Sequence, residues 1–418
     1  MKKFIYLFLI ATLLYSCVED DGLEVEREEK NFYLPYFSAK RGNEIVTLAL
    51  TDPRPLTSYV PGGIPVAPDF VEIYMSENGT DFELYDQVDS TVFNVEVGDL
   101  KNNQLYYFKI RSIRVGQESK ESWTLLTSPK EEKWPAAIIP GLDKYGEFFR
   151  FSKDKTYLSY RAFGDDSFET ERLFLYNVDS RELSVLAERS YLDNWSKYSN
   201  KAIYSTTETI DYTIYTDQII LHDADTGEET VLIDSPESRS VSNMILADQD
   251  RKVYFLSSEG AQESYYFNIW EMDLATKERK MIVDLEAIGL ASCWELNLSD
   301  DEQTFYMDSR KSGERRTIYQ YSLVENSSKR LFDLSIEATR PRISPDGNKV
   351  AFISDASGED EIWVYRMDTG SFSQVTGDEF YDFDHRGNPM HWLNSNELGI
   401  SYYSQLSKGE VLTSVSID

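Results

Sequence analysis

A repeat constrains this chain more than any other feature of its sequence. Six segments, RFSKD (150–154), NWSKY (194–198), ILADQ (245–249), NLSDD (297–301), RISPD (342–346) and HWLNS (391–395), each place an apolar residue ahead of a small or polar turn. Their anchors, Ser152, Ser196, Ala247, Ser299, Ser344 and Leu393, lie 44, 51, 52, 45 and 49 residues apart. A period of this size marks a fold built from one supersecondary unit that must stack on its neighbours to bury a core.

Within each unit the turn is followed by a strand, as in KTYLSY (155–160) or KVAFIS (349–354), and then by another, as in RLFLYNV (172–178) or EIWVYRM (361–367). Units one to five add a fourth, such as ETVLID (229–234) or KRLFDL (329–334), which the sixth lacks. AAII (136–139), ahead of the first unit, is expected to complete the sixth blade, closing the ring and removing free strand edges. Four-stranded units at ~45 to 50 residues predict a six-bladed β-propeller over 134–418.

Residues 31–128 read as a separate all-β unit. EIVTLALT (44–51), FVEIYMSE (70–77), DFELYDQV (81–88), TVFNVEV (91–97), QLYYFKIRSIRV (104–115) and SWTLLTS (122–128) are short strands, and Asn78-Gly79 is a hairpin signal. About 100 residues of such strands predict a β-sandwich. The spacing of Leu100, Tyr106, Phe108, Ile110 and Ser112 resembles the end of a fibronectin type III domain. A loop from Asp52 to Pro68 with five prolines reads as an edge cover or a binding element, and 129–133 as a linker.

The N-terminus reads as an address. Lys2 and Lys3 precede an apolar run from Phe4 to Leu14, too short for the about 20 residues that a membrane-spanning helix needs. Leu14-Tyr15-Ser16-Cys17 resembles a bacterial lipobox, which implies a signal peptide over 1–16 and lipidation of Cys17. The acidic stretch that follows, a tether over 17–30, resembles the surface-export signal of Bacteroidetes lipoproteins. The expected location is the outer membrane, lipid-anchored and facing the medium, with a periplasm-facing anchor as the alternative; the sandwich would lift the propeller from the membrane. With 73 acidic against 42 basic side chains, a formal charge of −31, nucleic acid is excluded as a sequence-independent partner.

RPRISPDGNKVAFISDASGEDEIWVYRMDTGSFSQVT (340–376) resembles the repeat of TolB-type propellers, which also occurs in prolyl oligopeptidase-like propellers and some oligouronide lyases. No GxSxG, HExxH, GxxxxGK[ST] or GxGxxG is present. Asp223, Asp225 and Gly227 match the Asp368-Thr369-Gly370 turn and read as a repeated connection. Asp382, Asp384, His385 and His391 form the best metal candidate, carboxylates and imidazoles suiting ions such as Mn; no metal or cofactor is nevertheless expected. Cys293 reads as a buried apolar residue.

Two groups are candidate binding residues. Arg150, Asn194, Ile245, Asn297, Arg342 and His391 stand one residue before each apolar anchor, with Arg340 two positions earlier. Five of the six are polar, and on channel-lining strands these would form a ring of donors for a carboxylate or phosphate, or else satisfy groups between blades. The connections 161–171, 206–217 and 258–267 carry aromatics including Phe163, Phe168, Tyr212, Tyr215, Tyr265, Tyr266 and Phe267, which on one face would stack on sugars or anchor a protein. The expected function is recognition of an envelope protein or glycan without catalysis, by a monomer or an oligomer of undetermined order. The alternative is a metal-dependent lyase or hydrolase acting on acidic oligosaccharides in the channel.

Overall fold

The computed structural model describes residues 32–51, 66–117, 119–130, 147–163, 171–210, 213–234, 241–258, 267–332, 336–377, 390–404 and 409–417. The signal segment, Cys17, the tether and 136–139 lie outside the described residues. Every regular element among those described is a β-strand.

The first eight strands are β1 (Tyr36–Gly42), β2 (Ile45–Thr51), β3 (Phe70–Ser76), β4 (Glu83–Asp89), β5 (Asn94–Val97), β6 (Tyr106–Ile113), β7 (Lys120–Glu121) and β8 (Leu125–Thr127). They form two sheets, β1-β2-β5 and β4-β3-β6-β7, with β8 also pairing β6. Strict alternation turns Val46, Leu48 and Leu50 of β2 and Tyr106, Phe108 and Ile110 of β6 into one shared core. Each such aliphatic side chain, fully buried, contributes roughly 1.5–3 kcal/mol. The Tyr106 hydroxyl accepts a hydrogen bond from the Lys101 amide at 3.0 Å, pinning the turn whose Leu100 is buried. At the β3–β4 hairpin, Asn78 Oδ1 accepts the amides of Thr80 and Asp81 at 2.9 Å. Gly79 there has φ of +77°, and a Cβ would sit 3.0 Å from the Tyr107 ring.

Six further sheets follow in chain order. Sheet 1 holds β9 (Glu147–Phe151), β10 (Tyr157–Phe163), β11 (Glu171–Asn177) and β12 (Leu183–Glu188); sheet 2 holds β13 (Ser190–Trp195), β14 (Lys201–Ile210), β15 (Thr213–Asp223) and β16 (Glu228–Asp234). Sheet 3 comprises β17 (Val241–Ala247), β18 (Lys252–Ser257), β19 (Asn268–Asp273) and β20 (Arg279–Val283). Sheet 4 comprises β21 (Leu296–Leu298), β22 (Thr304–Ser309), β23 (Thr317–Ser322) and β24 (Ser327–Arg330). Sheet 5 is β25 (Ala338–Ile343), β26 (Lys349–Ser354), β27 (Glu361–Arg366) and β28 (Phe372–Gln374); sheet 6 is β29 (Met390–Asn394), β30 (Glu397–Ser404) and β31 (Gly409–Ser416). Strands pair antiparallel in sequence order within each sheet. Apolar clusters lie between every pair of neighbouring sheets, including the sixth and first, where Leu412 meets Phe149, Leu158 and Tyr160. This cyclic packing is that of a β-propeller.

The anchor serines build the connection from first to second strand. Ser152 and Tyr157 bond reciprocally: the Ser152 amide donates to the Tyr157 carbonyl at 2.8 Å, and the Tyr157 amide to Ser152 Oγ at 3.0 Å. Ser299 with Thr304 and Ser344 with Lys349 repeat the pattern. Each Oγ also donates to an aspartate two residues on, Asp154, Asp301 or Asp346.

The sandwich is seated on the propeller. The Ala39 amide donates to the Ser357 carbonyl at 2.7 Å and the Leu126 amide to Ala356 at 2.6 Å, while Leu126 enters the cluster between sheets 4 and 5. Pro129 and Lys130, expected in a linker, bond to Asn103 and Gly42 of the sandwich. Connections in an antiparallel sheet alternate between its ends, so the sandwich sits opposite the serine turns.

Candidate functional site

The first strands of all six sheets surround a cavity of about 420 Å³. These strands are bent by register shifts in sheets 1, 2, 3, 5 and 6, between Leu192 and Asn194 or between Thr339 and Arg342 for example. The ring positions themselves stay on the ladder, Arg150 opposite Ser159, Arg342 opposite Ala351 and His391 opposite Gly399, beside the irregularity in their strands. Arg150, Asn194, Ile245, Asn297, Arg342 and His391 all line it, so the positions read from the repeat do converge. Arg340, with φ of +56°, is not among the described lining residues; its amide donates to Asp308 Oδ2 at 3.2 Å.

The ring divides by residue type. Its asparagines serve the backbone: Asn297 Oδ1 accepts the Ile343 amide at 3.2 Å across to sheet 5, and Asn194 Oδ1 accepts the Trp195 amide at 3.1 Å. The arginines keep their charge inside. Arg150 donates to the carbonyls of Phe149 at 3.0 Å and Met390 at 3.4 Å. Arg342 donates to Pro341 O at 2.9 Å and forms an ion pair with Glu295 at 3.0 Å.

Cations dominate the described lining. Arg150, Lys153, Lys155, Lys197 and Arg342 face only two carboxylates there, Glu295 and Asp300. Burial, then repulsion from Arg342 and Arg340 against attraction from Glu295, holds the Arg150 guanidinium well below its usual range. Burial followed by repulsion from Arg150, Arg342 and Lys155 depresses the His391 imidazole to about 3, so it is neutral at pH 7. At the serine-turn end, Lys197 bonds to Asp300 and lies 3.3 Å from Glu302, reaching from sheet 2 to sheet 4.

Two contributors escaped the sequence reading. Asn243 lines sheet 3 and bonds to Trp294 O at 2.7 Å and the Leu296 amide at 3.3 Å. Glu295 does the same work in sheet 4. Both occupy the offset recognised only for Arg340, two residues ahead of the ring position, and applying that offset to every unit finds them. Behind the wall, buried Asp308 accepts the amides of Trp294 and Glu295 at 2.9 and 3.0 Å and pairs with Arg316 at 3.5 Å. Burial raises its carboxyl above the usual range despite the guanidinium. Cys293 is fully buried beside it, its thiol 3.2 Å from the Glu295 carbonyl and pushed well up by burial.

The aromatic connections fare differently. Tyr212, Tyr265, Tyr266 and Phe168 lie outside the described residues. The expected loop 206–217 is corrected: β14 and β15 continue as a paired hairpin to Ile210 and Thr213, with Tyr215 opposite Glu208. Phe163 likewise ends β10, paired with Glu171, and Phe267 packs against the core between sheets 3 and 4. On sheets 4 and 5 this end of the propeller carries the sandwich, where Arg315 stacks 5.8 Å from the Trp123 ring.

No group of three or more His, Cys, Asp or Glu suited to a metal occurs among the described residues; Asp382, Asp384 and His385 lie outside them. His222, on the third strand of sheet 2, is remote from the cavity.

No family model matches this chain, and no curated protein does. Among solved structures it is similar to TolB from Acinetobacter baumannii, at 16% identity over 75% of this chain and 77% of that one, with a TM-score of 0.43. An oligogalacturonate lyase from Vibrio parahaemolyticus matches at 12% identity over 92% and 98%, with a TM-score of 0.47. The β-propeller domain of the Trilobed protease from Pyrococcus furiosus matches at 12% over 84% and 97%, with a TM-score of 0.40. These likenesses are of fold and assign no activity.

Proposed function

We propose that this chain is a lipid-anchored binding protein of the bacterial cell envelope, in which a six-bladed TolB-like propeller recognises a glycan or protein partner and performs no catalysis. In this reading 136–139 supply the missing strand of sheet 6, and Cys17 carries the anchor. The N-terminal unit is a fibronectin type III-like sandwich; its three-stranded and five-stranded sheets and the Tyr106 corner support that assignment.

The observation that carries the proposal is the cavity itself. A protein of formal charge −31 gathers Arg150, Arg342, Lys153, Lys155 and Lys197 around one cavity. Concentrating like charges there is unfavourable unless an anionic group is to be held. The residues suit holding more than reaction, since His391 is surrounded by cations rather than by acids that would help it bind a metal or accept protons.

The test is metal analysis of the mature protein with a panel of neutral and acidic oligosaccharides, scored for binding and for products. Binding without cleavage, in metal-free protein, is expected. A stoichiometric divalent metal with cleavage of a uronate-containing glycan would replace this reading by a metal-dependent lyase.

A further inference from the structure

The position of Glu295 indicates what the cavity arginines are built to hold. Its Oε2 lies 3.0 Å from Arg342 Nη2, and both side chains are mostly but not wholly buried, 18% and 10% exposed. Both line the cavity, so the ion pair is part of its wall rather than of a core behind it. The backbone on each side is fixed. The Glu295 amide is held by the buried Asp308 carboxylate, Arg342 O accepts from Trp392 Nε1 at 2.8 Å, and Arg342 Nη1 is tied to Pro341 O. The Glu295 carboxylate stands at the end of a side chain with three rotatable bonds, while the Arg342 guanidinium is a planar fork tied at Nη1. A guanidinium has five N–H donors arranged for planar, two-oxygen acceptors, so a carboxylate is the group it fits best.

We propose that the cavity binds a carboxylate-bearing ligand, that Arg342 takes the ligand's carboxylate with Arg150 beside it, and that Glu295 is an internal stand-in which holds Arg342 until the ligand displaces it. This rests on the binding reading above and deepens it by naming the ligand group. Arg150 and Arg342 act on one another electrostatically, and Glu295 on Arg150, which places all three within one field. Lys153 and Lys155 line the same cavity at its serine-turn end, where Lys197 is already paired with Asp300 and Glu302. A ligand carboxylate must then compete with Glu295 for Arg342 and also tolerate its charge nearby. Glu295 therefore sets a threshold that admits only ligands with further contacts along the cavity.

The experiment is calorimetric titration of the whole mature protein, at low salt, with glutarate, inorganic phosphate, cellobiose and the uronic acid corresponding to cellobiose. Wild type is compared with Glu295→Gln, Arg342→Gln and Arg342→Lys, each first checked for wild-type unfolding temperature. Glu295→Gln keeps the shape and removes the competing charge, so carboxylates should bind about tenfold more tightly, with cellobiose unchanged. Arg342→Gln should lose carboxylate binding by about tenfold or more, and Arg342→Lys should recover only part, having charge without the fork.

Equal or weaker carboxylate binding by Glu295→Gln overturns the stand-in role. Phosphate bound in preference to both carboxylates overturns the ligand class. If cellobiose binds and no carboxylate does, to wild type or to Glu295→Gln, this inference fails and the binding reading stands. If the uronic acid is cleaved, the non-catalytic reading fails, and the Glu295→Gln comparison still decides this inference.

Discussion

Arg41 of the sandwich donates its two terminal nitrogens to the main-chain oxygens of Gln374 and Val375, each at 3.0 Å, at the outer edge of propeller sheet 5. The partners are more than 300 residues apart in sequence, and the guanidinium is buried. Thr127 Oγ1 adds a bond to the Gln374 side chain at 2.8 Å. Buried hydrogen bonds from a charged group are worth about 1.5–3 kcal/mol each. Arg41→Ala should therefore destabilise the whole protein by about 3 kcal/mol, read as a lower denaturant midpoint. An unchanged midpoint would mean that the two units fold and unfold without reference to each other.

The backbones of the two units also run close together at Gly358. It has φ of +94°, and a Cβ there would lie 2.5 Å from Ser38 Cα and 2.7 Å from Phe37 O, both backbone atoms that cannot turn aside. Gly358→Ala should separate the sandwich from the propeller and split one thermal transition into two. A single transition at the wild-type temperature would refute the close contact.

Asp308 organises the cavity wall from behind, and removing it leaves the buried Arg316, stacked 3.6 Å from the exposed Trp294 ring, bonded to Ser292 but without its carboxylate. Breaking such a pair on one side typically costs about 3–5 kcal/mol. Asp308→Ala should show that loss in chemical denaturation and a reddened Trp294 emission as the stack opens. A loss below about 1 kcal/mol would place the pair outside the cooperative core.

His391 gives a pH signature. Its imidazole titrates near 6.5 in the unfolded chain and near 3 in the fold. Between those values the unfolded state binds the extra proton, so stability falls as pH drops through that window. His391→Asn should retain more of its neutral-pH stability at pH 4 than wild type does, compared by urea midpoints. Parallel losses in the two proteins would contradict the depressed imidazole. An anion seated beside the imidazole would favour its charged form, so carboxylate affinity should rise from pH 7 to pH 5 in wild type and less in the variant.

The repeat made the propeller legible because its serine turns and alternating strands are local patterns. The ring positions were legible for the same reason: the first strand of each unit puts Arg150, Asn297, Arg342 and His391 at one fixed offset from the anchor. Glu295 and Asn243 were missed because they stand two residues ahead of the ring position. Asp308 was missed because a lone acid near the end of a strand shows its purpose only through partners elsewhere in the chain. The hairpin of β14 and β15 was misread as a loop. Its Thr-rich run lacks apolar alternation, and only Asp211 and Tyr212 stand between the strands. The seating of the sandwich has no local signature, since Ser38, Arg41 and Leu126 meet sheet 5 only after the chain has gone round the ring.

The most direct measurement is the affinity of mature wild type and of the Arg150→Gln/Arg342→Gln double variant for the best acidic oligosaccharide of the panel. The account predicts binding without cleavage by wild type and a loss of about a hundredfold or more in the double variant, with the unfolding temperature kept. Equal affinity in the two proteins would show that recognition does not run through the cavity and would contradict the account.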